Sequence, residues 1–233
     1  MKKKLLKIGL FYYLYKHLKI FRNRKPSFHY AEFGEDIFVN RIFKNYEPGI
    51  YIDVGCYHPF KGSLTSKLYD KNWNGVNIDI SKTSIDLFNI VRKRDINLNY
   101  AISDFDGETV FYENSPINQQ NSLIKANENQ KEVKIKCFTL NRILNDNNIQ
   151  KFDYLNIDVE GNELKVINGM DFEKYRPNLI TIENNNLLLK DYVNSNIYKI
   201  FQQNNYTLVN KIGVTNFLMP NNLAKDFMNL IKI

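Results

Sequence analysis

Four acids stand where short apolar runs end: Asp53 in "YIDVGCYHP", Asp79 in "GVNIDI", Asp158 in "FDYLNIDVEG" and Glu183 in "NLITIEN". One acid in such a place is ordinary, because Asp often caps the helix that follows. Acids at several strand ends ask for a shared purpose. Asp53 poses the sharpest question, since a lone carboxylate inside an apolar run is costly unless paired. It has either an internal partner or a ligand that brings positive charge. Asp79 follows Gly55 by 24 positions, close to the ~20 that separate a glycine turn from the acid that takes ribose hydroxyls. Its competing role is to cap a helix at 82–92, which Ser81 can do instead. Asp158, Glu183 and Asn184 offer oxygen atoms from two strand ends, a set suited to Mg²⁺ or Mn²⁺. Glu160 is a third ligand or a base, and Glu163 suits the N-terminus of its own helix. His58, in the loop beyond Gly55, is a candidate base or a loop-packing residue.

The pattern around these residues predicts the frame that holds them. Short apolar runs at 50–54, 75–80, 95–101, 152–157 and 178–183 read as strands. Amphipathic stretches at 63–71, 82–92, 139–147 and 161–168 read as the helices between them. An earlier helix begins with Glu35 and Asp36 and ends at Pro48-Gly49. Such alternation means a parallel sheet with helices on both faces, and ligands in such sheets sit beyond the carboxyl ends of the strands. Two segments depart from it. Residues 108–113 and 132–138 read as a hairpin with a polar tip, and after a helix at 191–203 the runs 206–210 and 214–219 are close enough to demand antiparallel pairing.

The ligand can be narrowed further. "GCYHPFKG" lacks the second and third glycines that let a backbone approach a pyrophosphate, so a nucleoside without one fits better. S-adenosylmethionine has a ribose for Asp79, an ammonium group for Asp53, and a carboxylate for backbone N–H groups of the Gly55 turn or the helix that follows.

Composition sets the limits. At 233 residues with 43% hydrophobic and 14% aromatic content, the chain can bury a core and is not a disordered sequence. Cys56 and Cys137 make neither metal-ligand spacing nor a disulfide framework, which fits a reducing, cytoplasmic compartment. The net charge of +7 is a property of the tail: residues 1–25 hold nine Lys or Arg and no acid. The remainder is near neutral and shows no nucleic-acid footprint. The apolar run Ile8–Tyr15 is too short to span a bilayer. Residues 1–31 read as a basic amphipathic helix that lies on the anionic inner face of a membrane or packs on the body, and residues 32–233 as the main domain.

The motifs "FGED", "YIDVGCYHP", "SLT", "LYDKNWNGVNIDISKTSIDLF", "RDINLNYAISD", "FDYLNIDVEGNELKVINGMDF" and "RPNLITIEN" follow one another as they do in the FkbM family, which this chain resembles from about Phe33 to about Asn184. The resemblance implies a class I methyltransferase fold, Rossmann-like, with a seven-stranded, mostly parallel sheet whose last strand is antiparallel. It implies S-adenosylmethionine as cofactor, held at Asp53, Gly55, Asp79 with Ile80 beside it, and around Ala101 to Ser103. It also implies methylation of a hydroxyl, on a sugar or sugar nucleotide in surface-glycan biosynthesis. An NAD-dependent oxidoreductase is a rival that shares the strand-end acid but needs the missing glycines. A non-catalytic, membrane-attached binding module is a second.

Overall fold

The computed structural model describes residues 9–23, 28–113, 121–125, 128, 130–184 and 188–231. In chain order its elements begin with helices α1 (Gly9–Asn23) and α2 (Glu35–Ile42), strand β1 (Ile50–Val54), α3 (Ser66–Asp70), β2 (Asn74–Ile78), α4 (Lys82–Val91) and β3 (Ile96–Leu98). Strands β4 (Ala101–Ile102), β5 (Gly107–Glu113) and β6 (Lys131–Phe138) follow, then α5 (Leu140–Asp146), β7 (Tyr154–Ile157), α6 (Glu163–Asn168) and β8 (Leu179–Glu183). The chain closes with α7 (Leu189–Val193), α8 (Asn196–Gln203), β9 (Tyr206–Ile212), β10 (Thr215–Pro220) and α9 (Asn221–Ile231).

Seven strands form one sheet in the order β3-β2-β1-β7-β8-β10-β9. Every neighbouring pair is parallel except those made by β10, which runs antiparallel to β8 and β9. The last strand is thus the antiparallel one, inserted beside β8 rather than at the edge. Strand order reverses between β1 and β7, which opens a crevice beyond their carboxyl ends.

Period-two alternation divides the core between the two faces. Ile52, Val54, Val76, Ile78, Leu155, Ile157, Ile180 and Ile182 pack with Leu140, Ile143, Val166 and Phe201 from α5, α6 and α8. On the other face Tyr51, Tyr154, Leu179 and Phe217 pack with Val39, Leu68 and Ala224 from α2, α3 and α9.

That second face carries a buried polar row. Register sets Asn97, Asn77, Asp53, Asn156 and Thr181 side by side on β3, β2, β1, β7 and β8. Asn77 Nδ2 donates to Asn97 Oδ1 at 2.8 Å, Asn156 Nδ2 donates to Asp53 Oδ1 at 2.9 Å, and Thr181 Oγ1 donates to Asn156 Oδ1 at 2.7 Å. Thr65 Oγ1 donates to the other Asp53 oxygen at 2.8 Å. Arg92, itself buried, donates to Thr65 Oγ1, Tyr51 Oη, Ser63 Oγ and the Pro59 carbonyl at 2.8–2.9 Å. The question posed by Asp53 is answered here: its partners are internal.

Three elements differ from the sequence expectation. The run 95–101 is two strands, because the Asn99 amide donates to the Asp79 and Ile80 carbonyls and turns the chain away from the main sheet. Strand β4 then joins the β5–β6 hairpin in a separate three-stranded sheet, pairing parallel to β6. The expected helix 191–203 breaks at Ser195, whose hydroxyl accepts the Tyr198 N–H and starts α8 afresh. Most of the expected loop 114–131 lies outside the described residues.

Helix α1 packs on the body. Tyr12 Oη donates to Asp86 Oδ2 and accepts from Thr83 Oγ1 on α4, Lys16 Nζ lies 3.7 Å from Asp86, and Ile20 packs with Phe60 and Leu87.

Candidate active site

The ends of β1, β2 and β7 border a cavity that is open to solvent on one side. Val54, Gly55, Tyr57, Asp79, Ile80 and Tyr100 form one part of its wall. Ile102, Asn121, Leu123, Asp158, Glu160 and Asn162 lie among the rest.

Gly55 makes the close approach of β1 and β7 possible. Its φ is +84°, and a Cβ there would lie 1.7 Å from the Asp158 carbonyl oxygen. Asp79 follows β2 and is only half-buried. Its two oxygens accept the backbone N–H groups of Tyr57 at 2.8 Å and Ser81 at 2.7 Å, leaving a further lone pair on each. The helix-capping role falls to Ser81, whose hydroxyl accepts the Ser84 N–H. Burial pushes the Asp79 carboxyl up to about 6, against the pull of those two N–H groups.

Three expectations for this region are corrected. Asp53 does not line the cavity, because it lies on the Tyr51 face of β1 with both oxygens bonded to Thr65 and Asn156. The N–H groups of Gly55, Cys56 and Tyr57 are also committed, to the Ile78 carbonyl and Asp79, so this turn offers none of the three to a ligand carboxylate. Ala101 and Ser103 point away from the cavity while their neighbours Tyr100 and Ile102 line it, as alternation along an extended chain requires. Ser103 lines an adjacent cleft with Phe105, Ile124 and Lys165.

His58 is buried behind the wall rather than in it. Its Nδ1 accepts the N–H groups of Phe60 and Lys61, both at 3.1 Å. The ring is also hydrogen-bonded to the Lys19 backbone in α1. Burial, with Lys19 and Lys61 nearby, drives its pKa down to about 4. The histidine is therefore a neutral clamp between the loop and α1, and the expectation of a catalytic base there is corrected.

Acid chemistry gathers instead beyond β7 and β8. Asp158, Glu160 and Glu183 each bring one carboxylate oxygen within 4.8 Å of the others. Burial raises Asp158 well above the carboxylate range, followed by its hydrogen bond and charge repulsion with Glu183. Burial and the charges of Glu183 and Glu163 raise Glu160 to about 7. Glu160 has φ +54°, a conformation non-glycine residues rarely adopt, and Ser122 Oγ donates to its carbonyl at 2.9 Å. Gly161 follows with φ +101°. Glu163 Oε1 accepts the Gly161 N–H at 2.9 Å, which makes it the loop's internal cap. Asn184 borders a cleft it shares with Glu160, Glu163 and Glu183. Three carboxylates so close match the donor chemistry of a hard divalent cation, and the residues present fit that group.

Tyr57, Tyr100, Asn121, Leu123 and Asn162 were not foreseen as lining residues. Tyr100 and Asn162 lie next to expected positions, and alternation is the signal that points to Tyr100. Asn121 and Leu123 come from the hairpin loop, where no periodicity announces them.

A topological switch point, a strand-end acid after β2 and an inserted antiparallel last strand define the class I methyltransferase fold. The chain belongs to the FkbM methyltransferase family: residues 53–208, more than half of it, match the methyltransferase FkbM domain. It is therefore a methyltransferase by family, as the motif order implied. No curated protein matches it in sequence. Among solved structures it is similar to PH1948 of Pyrococcus horikoshii, described as a candidate RNA methyltransferase, at 9% identity and a TM-score of 0.45. That match covers 85% of this chain and 89% of the other. It is also similar to monomeric WbdD at 12% identity and a TM-score of 0.38, covering 78% of this chain but 38% of WbdD. Among the described residues searched, no helix is long and apolar enough to cross a membrane.

Proposed function

We propose that this chain is an S-adenosylmethionine-dependent O-methyltransferase whose acceptor is a hydroxyl of a sugar or nucleotide-activated sugar in surface-glycan biosynthesis. The observation that carries the reading is Asp79, a half-buried carboxylate with spare lone pairs on the wall of a cavity that Asp158 and Glu160 of the acid cluster also line. The cofactor, when bound, supplies an electrophilic methyl group on sulfur. Asp79 accepts hydrogen bonds from the ribose hydroxyls, while Ile80, Tyr100 and Ile102 provide apolar surface for the purine. Asp53 acts on this site only indirectly, through the Thr65–Arg92 network that holds the Pro59–Ser63 loop.

A sugar hydroxyl is a poor nucleophile until it loses its proton. Glu160, held near 7 by its surroundings, is matched to that task close to neutral pH. Glu160 takes the proton of the acceptor hydroxyl as that oxygen becomes the nucleophile. S-adenosylmethionine, when bound, would supply the methyl group to that oxygen and leave as the neutral thioether. Asp158, Glu160 and Glu183, with Asn184 alongside, are also the residues that would hold Mg²⁺ or Mn²⁺. Such an ion would lower the acceptor hydroxyl's pKa and orient it.

A screen of nucleotide-activated sugars for S-adenosylhomocysteine release tests the reading. Turnover that a chelator abolishes and Mg²⁺ or Mn²⁺ restores assigns the cluster to a metal. Full turnover in the chelator assigns proton removal to Glu160 unaided. If calorimetry detects no binding of S-adenosylmethionine to folded protein, the proposal fails; NAD binding in its place would support the oxidoreductase.

A further inference from the structure

Helix α1 is apolar on two sides, and the fold uses one of them. Tyr12, Lys16 and Ile20 face the body and meet α4 and Phe60. On the opposite side Phe11, Leu14, Leu18 and Phe21 recur at helical intervals and form one stripe. Their exposures are 48%, 46%, 66% and 81%. Phe28, just beyond the helix, is 80% exposed. Scattered apolar residues on a surface are ordinary, whereas a contiguous stripe marks an interaction surface.

The charge around the stripe identifies the partner. Lys2, Lys3, Lys4 and Lys7 precede the helix in sequence, Arg24 and Lys25 follow it, and no acid occurs before Glu32. Asp86, the acid that α1 meets on α4, is turned inward and engaged by Tyr12, Lys16 and Lys82. The uninterrupted apolar run Ile8–Tyr15 in the sequence is short of the ~20 residues needed to cross a bilayer. An apolar stripe flanked by cations is instead the form of a helix lying in the plane of an interface. A second copy of this chain is a poorer occupant, because it would bring two acid-free basic segments against each other.

We propose that α1 seats this protein on an anionic lipid bilayer, with Phe11, Leu14, Leu18 and Phe21 at the acyl boundary and the flanking Lys and Arg on the headgroup phosphates. The seat is joined to the cavity. Tyr15 and Ile20 share an apolar cluster with Tyr57, which lines the cavity, and His58 bonds to the Lys19 backbone. The anchor therefore orients the cavity relative to the surface.

The test is flotation of the full chain with vesicles of phosphatidylcholine alone, or of phosphatidylcholine containing phosphatidylglycerol, at low and high salt. The protein is expected to float with the anionic vesicles and to be released by salt. The variant Leu14→Ser/Leu18→Ser/Phe21→Ser should reduce the bound fraction about tenfold or more. Its unfolding curve should match the parent's, because all three side chains face solvent. Equal flotation with neutral vesicles, or a triple variant that floats like the parent, overturns the proposal. So does a parent that ignores anionic vesicles while sedimentation shows concentration-dependent dimers, which would give the stripe to a second copy.

Discussion

Replacing Asp79 by Asn keeps the side chain's shape and removes the charge proposed to receive the ribose hydroxyls. In the parent, each Asp79 oxygen already accepts one backbone N–H, so each has a further lone pair for a ligand hydroxyl. A hydrogen bond to a charged group contributes about 1.5–3 kcal/mol, so S-adenosylhomocysteine should bind about 10- to 150-fold more weakly to Asp79→Asn. The pH dependence is a sharper reading of the same idea. The free carboxyl titrates near 6, and ribose hydroxyls donate more strongly to its ionised form. Affinity should therefore rise with pH through about 6. At pH 5 only about one molecule in eleven is ionised, which costs the parent about tenfold relative to pH 7.5. The Asn variant has nothing to titrate at position 79, so the step centred near pH 6 should vanish, leaving only whatever Glu160 contributes near 7. Isothermal calorimetry at several pH values, with circular dichroism to confirm folding, makes the measurement. A parent whose affinity is flat from pH 5 to 7.5, or a folded Asp79→Asn that binds as tightly as the parent, refutes the reasoning.

Two further outcomes concern residues buried behind the walls of the site. His58 has its pKa lowered from 6.5 to about 4 in the folded chain, so its contribution to stability is complete above 6.5 and is lost as pH falls toward 4. That span corresponds to about 3 kcal/mol, and urea unfolding of His58→Gln should lack that part of the parent's acid sensitivity; identical pH profiles would show that the ring does not titrate on unfolding. Arg92→Met leaves Asp53 and Asp95 without their buried cation and should cost about 3–5 kcal/mol in urea unfolding. Adding Asp53→Asn should recover part of that loss, and a double variant no better than Arg92→Met would mean that the two charges are not coupled.

Periodicity and punctuation made most of the architecture legible. Apolar runs bounded by Gly, Pro and Asn marked the parallel strands, and the short link at Gly213 announced the antiparallel last pair. Asp79 was legible for the same reason: an acid at a strand end, with Ser81 available as the cap, is a local pattern. The break at Ser195 was not read, although Ser is a strong capping residue, because the apolar period runs on across it. The split of 95–101 depended on the Asn99 side chain reaching carbonyls some 20 positions earlier. No window of sequence contains that contact.

Local pattern is enough to set the alternating order of elements, the basic character of the tail, and the acids that come at strand ends. These follow from local periodicity and composition. Tertiary structure alone decided what each acid does. Asp53 and Asn156 are 103 positions apart and meet because β1 and β7 are neighbours in register. The same adjacency sends Asp53 to the buried face and leaves Asp79 on the cavity. The pairing of β7 with β8 brings Asp158, Glu160 and Glu183 close enough to help raise the carboxyl pKa values of the first two, while His58 becomes a clamp on α1. A side chain's charge state and partners depend on distance and burial, and both are set only when strands from distant parts of the chain pack together.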